Sequence, residues 1–334
     1  MTILEVKDLQ VTFQTQTDSV PAVRGVSYSL KAGKTLGCVG ESGSGKSVTA
    51  QTILGLNTGA KTQISGKVFF DGVEVDFTNK EAIQKLRGND VAMIFQDPLS
   101  SLHPFYTVGN QIAEAYLVHH PKATKAEARV RTLEVMNQVG IPVSETRIDD
   151  YPHQFSGGMR QRIMIAMALV NNPKVLIADE PTTALDVTVQ AQILDLLKKL
   201  QKETGMSILL ITHDFGVVKE MCDEVVVMYA GKVVETGPVA EIFKDPQHPY
   251  TRGLLDSLVA NEDSDKPLIP IPGTPPTPAE FNLGCSFAPR CRWAGKDGID
   301  CNNQIPELVG TAKHQSACLL PTTNRSKLFA SRTK

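Results

Sequence analysis

The strongest constraint in this chain is a glycine-rich octapeptide, Gly40-Glu41-Ser42-Gly43-Ser44-Gly45-Lys46-Ser47. It follows the short apolar run Thr35–Val39, read as a strand, and precedes a helix expected from Ser47 to about Leu54. The octapeptide fits G-x-x-x-x-G-K-[ST], and the junction demands a strand–turn–helix unit, hence an α/β fold. Glycines let the backbone wrap so that amide N–H groups face an anion, and the helix start adds partial positive charge. Residues Gly40, Glu41, Ser42, Gly43, Ser44, Gly45, Lys46, Ser47 and Val48 are therefore a candidate phosphate cradle. In it Lys46 would neutralise β- and γ-phosphates and Ser47 would offer its hydroxyl to Mg²⁺.

A second junction agrees with the first. The apolar run Val175–Ala178 delivers Asp179-Glu180 to its end, where parallel sheets bind ligands. Asp179 suits Mg²⁺, and Glu180 suits orienting and deprotonating a water. Strand and helix then alternate: a helix over Val187–Leu200, a strand over Ser207–Ile211, and strands Glu224–Tyr229 and Lys232–Glu235 flanking Ala230-Gly231, a hairpin signal. Upstream, residues 1–36 read as short strands and 66–76 as another strand. Residues 107–139 read as helix, with Ile112, Ala115, Leu117, Val130, Leu133, Val135 and Met136 apolar and Pro121 dividing two helices. The pattern predicts a mainly parallel α/β sheet.

Composition narrows the function. With 334 residues and 41% hydrophobic residues the chain can build one large domain plus an extension. A formal net charge of -2 offers no basic face, so no nucleic-acid partner is expected. No apolar run approaches the roughly 18 residues of a membrane span, and the first residues, with Glu5 and Asp8, do not resemble a secretory signal. The expectation is a cytosolic protein whose membrane role comes through a partner.

Six cysteines are present; Cys38 and Cys222 lie in apolar stretches and read as buried, inert thiols. Cys285, Cys291, Cys301 and Cys318 cluster near the end, separated by gaps of 5, 9 and 16 residues, beyond the proline-rich stretch 266–278, which reads as extended. In a reducing cytosol such a set suggests a metal site rather than disulfides. Four thiolates suit zinc or an iron–sulfur cluster; spacing does not decide between them, and four free thiols are the third reading.

Between the two phosphate-related elements lies Phe155-Ser156-Gly157-Gly158-Met159, ahead of an expected helix Met159 to Leu169. It resembles the signature of the ABC ATPases, with Phe for Leu and Met for Gln at its ends. Gln96 in Phe95-Gln96-Asp97-Pro98 resembles the family's Q-loop, Ala184-Leu185-Asp186 its D-loop, and Thr212-His213-Asp214 its H-switch. Phe13 sits where the family places an aromatic that stacks on adenine, although a core aromatic reads equally simply. The resemblance implies a P-loop ABC ATPase cassette over residues 1–260, with a parallel-sheet core, an antiparallel β part and a helical subdomain at about 98–165. It implies ATP and Mg²⁺ as cofactors. Glu180, His213, Gln96 and Lys46 would be catalytic, and Ser47, Gln96 and Asp179 would serve Mg²⁺. Ser156, Gly157, Gly158 and Asp186 would meet nucleotide in a head-to-tail dimer. The alternative for His213 is a strand-end histidine with a structural role.

Longer phrases, among them GESGSGKSVTA, YPHQFSGGMRQR, DPQHPYT and GCSFAPRC, resemble the dipeptide and oligopeptide permease branch. That resemblance implies a Cys-rich C-terminal extension over 261–334 holding a [4Fe–4S] cluster on Cys285, Cys291, Cys301 and Cys318, with zinc as the alternative. It implies a second ATPase subunit, a paralogue, two transmembrane permease subunits and, indirectly, an extracytoplasmic binding protein. The location implied is peripheral, on the cytoplasmic face of the inner membrane, and the activity is ATP hydrolysis powering import of di- and oligopeptides. Oligosaccharide, nickel or glutathione as cargo, or a non-transport ABC ATPase, are the alternatives. A P-loop GTPase or kinase would lack Ser156-Gly157-Gly158. A DNA-repair ABC ATPase would carry a long coiled-coil insertion, and a translation factor of this type two cassettes; neither is seen.

Overall fold

The computed structural model describes residues 1–262 apart from 184, and 270–329 apart from 282, 312, 323, 324, 326 and 327. Ala184 and residues 266–269 of the proline-rich stretch thus lie outside the described residues. The chain divides into two compact units, one of Met1–Leu4, Leu30–Lys34 and Phe70–Leu210, the other of Glu5–Ser29, Thr35–Phe69 and Ile211–Lys334.

Most of the α-helices belong to the first unit. Val108–Leu117 starts on Thr107, whose hydroxyl accepts from Asn110 N–H, and Lys125–Gln138 starts on a reciprocal capping box between Thr124 and Glu127. Pro121 lies in the turn between them, as its geometry requires. In the second helix Ala128, Thr132, Val135 and Met136 form the buried stripe at helical spacing. Val130, read from the sequence with the apolar face, falls off that stripe and is exposed. Strand Val91–Ile94 pairs in parallel with the wholly buried Val175–Asp179, Val91 opposite Val175 and Ile94 opposite Ala178. Helix Val187–Thr204 ends on Gly205 in the left-handed conformation (φ 73°). The run read as one strand over 66–76 is broken: Asp71 (φ 49°) and Gly72 (φ 78°) make a tight turn between Thr62–Phe70 and Val73–Glu74.

The second unit is mainly β. Within it, strands run in the order Val309–Gly310, Gln315–Ser316, Lys232–Pro238, Glu224–Tyr229, Thr35–Val39. The last pair is parallel, Leu36 opposite Glu224 and Val39 opposite Val227, and the others are antiparallel. Ala230 (φ 49°) and Gly231 (φ 76°) form the expected hairpin turn. The early strands are longer than read from the sequence, Thr2–Gln14 and Ser19–Lys31. Buried positions in Thr2–Gln14 step from Leu4 and Val6 to Leu9 and Val11, because Asp8 adopts φ 46° and shifts the alternation by one. Residues after 270 belong to this unit: Glu235 lies opposite Ser316, and Phe287 joins the core of Tyr229, Ala230, Ile242, Tyr250 and Leu255. No helix among the described residues is long and apolar enough to cross a membrane.

Candidate active site

Buried strand Thr35–Val39 leads directly into the loop. Gly40, Gly43 and Gly45 have φ of 158°, 79° and 96°, in the range that side chains rarely adopt. A Cβ on Gly45 would come 2.6 Å from Ala22 O. Helix Lys46–Ile53 follows, with no side-chain cap hydrogen bond at its start and no acid in its first turn, so its positive end faces the loop. The buried Lys46 ammonium donates to Gly40 O (2.7 Å), Glu41 O (3.0 Å) and Ser44 Oγ (3.3 Å), which draws the loop around the charge. Ser42 and Gly43 are exposed, Ser47 and Val48 half-buried. The arrangement is a cationic cradle of backbone amides, able to hold an anion such as a phosphate chain.

In the other unit, strand Val175–Asp179 ends in the buried Asp179, and Glu180 follows with φ 47°. That left-handed conformation costs a non-glycine residue about 1–2 kcal/mol, and such strain clusters at functional positions. The Glu180 carboxylate accepts from Gln96 Nε2 at 2.8 Å and from Thr183 Oγ1 at 2.9 Å, and these two neutral donors orient it. Gln96 and Glu180, 84 positions apart, were both expected at the site and are brought together. Thr183 was not singled out from the sequence.

Ser156 caps helix Gly157–Leu169, accepting from Met159 N–H at 3.4 Å, and Ser156 and Gly157 are exposed. A Cβ on Gly158 would come 2.6 Å from Val189 Cγ1, so glycine lets this helix start pack close to helix Val187–Thr204. Phe155, the departure from Leu, is buried under the Arg147 guanidinium, 4.0 Å from its ring. Asp186 caps helix Val187–Thr204 by accepting from Val189 N–H at 2.9 Å.

These local arrangements have relatives among known proteins. The family described as ABC transporter matches residues 23–183, and the one described as oligopeptide/dipeptide transporter, C-terminal region, matches 234–297. The dipeptide transport ATP-binding protein DppD of Lactococcus lactis is 52% identical over 312 residues, covering 93% of this chain and 89% of the relative. The oligopeptide transport ATP-binding protein OppD of Bacillus subtilis is 51% identical over 314 residues, covering 93% and 87%. The chain belongs to the ABC transporter family. Among solved structures of this family, the ATP-binding cassette MJ0796, a dimer in a post-hydrolysis state with ADP and Pi, superposes with a TM-score of 0.63 at 28% identity, over 71% of this chain and 99% of that one. CbiO1 of Clostridium perfringens, part of the transporter complex cbiONQ, gives 0.63 at 30% identity over 78% and 95%. The fold is thus the ABC ATPase cassette with mixed α/β sheets.

Against the ABC pattern, His213 lies exposed at the end of strand Ser207–Thr212, while Asp214 caps the next helix through Gly216 and Val217 N–H. Phe13 is half-buried near the end of strand Thr2–Gln14. Cys38 is buried, and burial pushes the Cys222 thiol up to about 12. Burial likewise pushes Cys285 up to about 11, Cys291 to about 12, and raises Cys318. The four C-terminal thiols lie within range of one another's charge, and Cys285 N–H donates to Cys301 O at 2.8 Å. Yet among the described residues no three His, Cys, Asp or Glu side chains come together as a metal-holding group, so the expected Cys₄ site is not preassembled.

Besides Thr183, three residues of this ABC chain escaped sequence reasoning. Tyr250 Oη accepts Glu41 N–H at 2.8 Å. Arg290 grips the Glu41 carboxylate with both terminal nitrogens, at 2.6 and 3.1 Å. The fully buried Glu235 accepts from the N–H groups of Gln247 (2.6 Å) and His248 (2.9 Å) and pairs with His314 (2.8 Å). Tyr250 and Arg290 stand in the phrases DPQHPYT and GCSFAPRC, which were the available signal.

Proposed function

We propose that this chain hydrolyses ATP to power uptake of di- and oligopeptides through membrane-embedded permease subunits. The observation that carries it is Glu180, strained and fixed by Gln96 and Thr183 directly after buried Asp179. Names of half-identical relatives supply the cargo class. In this reading the loop's amides and Lys46 hold the phosphates, and Ser47 and Asp179 serve Mg²⁺, which polarises the β- and γ-oxygens when bound. Glu180 takes the proton of the attacking water; Gln96 keeps the carboxylate aimed, and His213 steadies the γ-phosphate. Phe13 stacks on adenine. The exposed Ser156-Gly157 helix start and Asp186 complete a site on a second ATPase subunit, a paralogue, with theirs completing this one.

The transporter has two permease subunits, and the helical region of about 98–150 docks a permease loop. What supports this is a cleft of about 560 Å³ there, lined by Gly109, Ala113, Leu117, Val118 and Ile148, with Phe105 exposed nearby in sequence. The chain would then sit on the cytoplasmic face of the inner membrane, with a binding protein delivering peptide outside. Division into a cassette over 1–260 and an extension over 261–334 is part of the same proposal. So is a [4Fe–4S] cluster on Cys285, Cys291, Cys301 and Cys318, supported by the soft-ligand chemistry of four thiols in one segment and by the resemblance carried by GCSFAPRC. Binding would have to draw the thiols together and deprotonate them, and no step of hydrolysis runs through the group. Anaerobic protein with stoichiometric zinc and no iron would reject the cluster.

Glu180→Gln tests the hydrolytic assignment. The variant should bind MgATP normally, lose steady turnover and accumulate a closed ATP-bound dimer; near-normal turnover in the assembled transporter refutes the role. Uptake of labelled di- and oligopeptides by cells lacking the chain tests the cargo: undiminished uptake of both refutes it.

A further inference from the structure

Glu41 is an awkward residue for a phosphate cradle. It is the second residue of the loop, and a carboxylate there repels the anion the loop is read to hold. The structure answers that charge from far along the chain. Arg290, only 6% exposed, closes the short turn Ala288–Arg290 and meets both Glu41 oxygens in a bidentate pair. Its other bonds run to Pro272 O (2.9 Å), Tyr229 Oη (3.3 Å) and Gly273 O (3.4 Å). Tyr229, Tyr250 and Phe287 pack ring against ring beside it, with centroids 4.7 to 5.4 Å apart. Tyr250 from this same cluster takes the Glu41 N–H. Both ends of Glu41, amide and carboxylate, are thus held by residues beyond position 249.

We propose that Arg290 is a positioning residue for nucleotide binding, cancelling the Glu41 charge inside the phosphate loop and fixing the loop's first turn. The C-terminal segment thereby sets the affinity for the triphosphate without touching it. The inference rests on the reading of Gly40–Ser47 as the phosphate loop. A role limited to fastening the tail would leave affinity indifferent to the charge of Glu41; the proposed role makes affinity depend on it.

The test uses the full chain and four variants, with nucleotide binding followed by calorimetry. Arg290→Gln should weaken MgATP binding about tenfold, and MgADP, with half the net charge, about threefold. Adding Glu41→Gln should restore MgATP binding to within about threefold of wild type, since an amide facing an amide leaves no unpaired charge. Equal losses for the two nucleotides, or a double variant no tighter than Arg290→Gln, overturns the proposal. Should Arg290→Gln not fold, Glu41→Gln decides alone: freeing the Arg290 charge tightens MgATP binding, and unchanged or weaker binding overturns it. Lys46→Ala checks the phosphate-loop reading separately, because that reading fails if this variant binds MgATP like wild type.

Discussion

His248 makes the C-terminal half of the protein acid-sensitive by an amount that can be worked out. Burial, with the Arg325 charge nearby, pushes this imidazole from 6.5 down to about 3, against a backbone hydrogen bond with Ala317 that pulls the other way. Its Nδ1 accepts Tyr250 N–H at 3.1 Å, so the neutral ring is the form the fold requires. A depressed pKa contributes stability that is complete above the unfolded value of 6.5 and is lost as pH falls towards about 3. Each pH unit inside that window costs up to about 1.4 kcal/mol, so the fall from pH 7 to pH 5 removes about 2 kcal/mol. His248→Asn keeps an oxygen near the Nδ1 position and cannot titrate. It should lower stability at pH 7 yet flatten its pH dependence by that same amount. The chain's single tryptophan, Trp293, belongs to the same unit, so urea unfolding followed by its fluorescence reads the relevant part. Parallel loss of stability in wild type and variant between pH 7 and pH 5 would show that His248 is not held neutral.

Further outcomes are expected. Tyr250→Phe strands the Glu41 amide and should cost about 1–3 kcal/mol of stability in urea titrations, with no change if that amide finds water instead. Gly45→Ala combines positive φ with a Cβ 2.6 Å from Ala22 O and should destabilise by at least about 1–2 kcal/mol; a denaturation midpoint equal to wild type would contradict it. Cys291→Ser should speed proteolysis of the tail if the four thiols bind a common group, while MgATP binding measured by calorimetry stays within about twofold; equal proteolysis rates argue against a shared ligand.

How much of this was legible in the sequence depended on how local the cause was. The loop Gly40–Ser47, the acids at 179 and 180 and the helix start at Ser156 are runs of neighbours, and their local geometry matches the reading. The two capped helices around Pro121 were legible because caps and breakers act over a few residues. Val130 misled because a valine count does not fix the phase of a helix face, which packing decides. Asp71-Gly72 was overlooked inside an apolar run, although Asp-Gly is itself a turn signal. The loop's supports were out of reach altogether. Tyr250 and Arg290 meet Glu41 across 209 and 249 residues, and no periodicity or spacing reports a contact made at that distance. Nor does spacing tell how four cysteines are arranged once folded.

The short strand Gln315–Ser316 has one more consequence. It hydrogen-bonds along Lys232–Pro238, a strand whose Val233 and Val234 are apolar and which pairs on its other side with Glu224–Tyr229. Without the tail, that strand would present bare N–H and C=O groups, a template for a second molecule. The last part of the chain therefore covers an edge that would otherwise be open to pairing with a second molecule. Gln315→Pro, which disturbs this pairing at its Thr236 partner, should drive concentration-dependent growth in light scattering, whereas a strictly monodisperse variant would show the edge to be harmless.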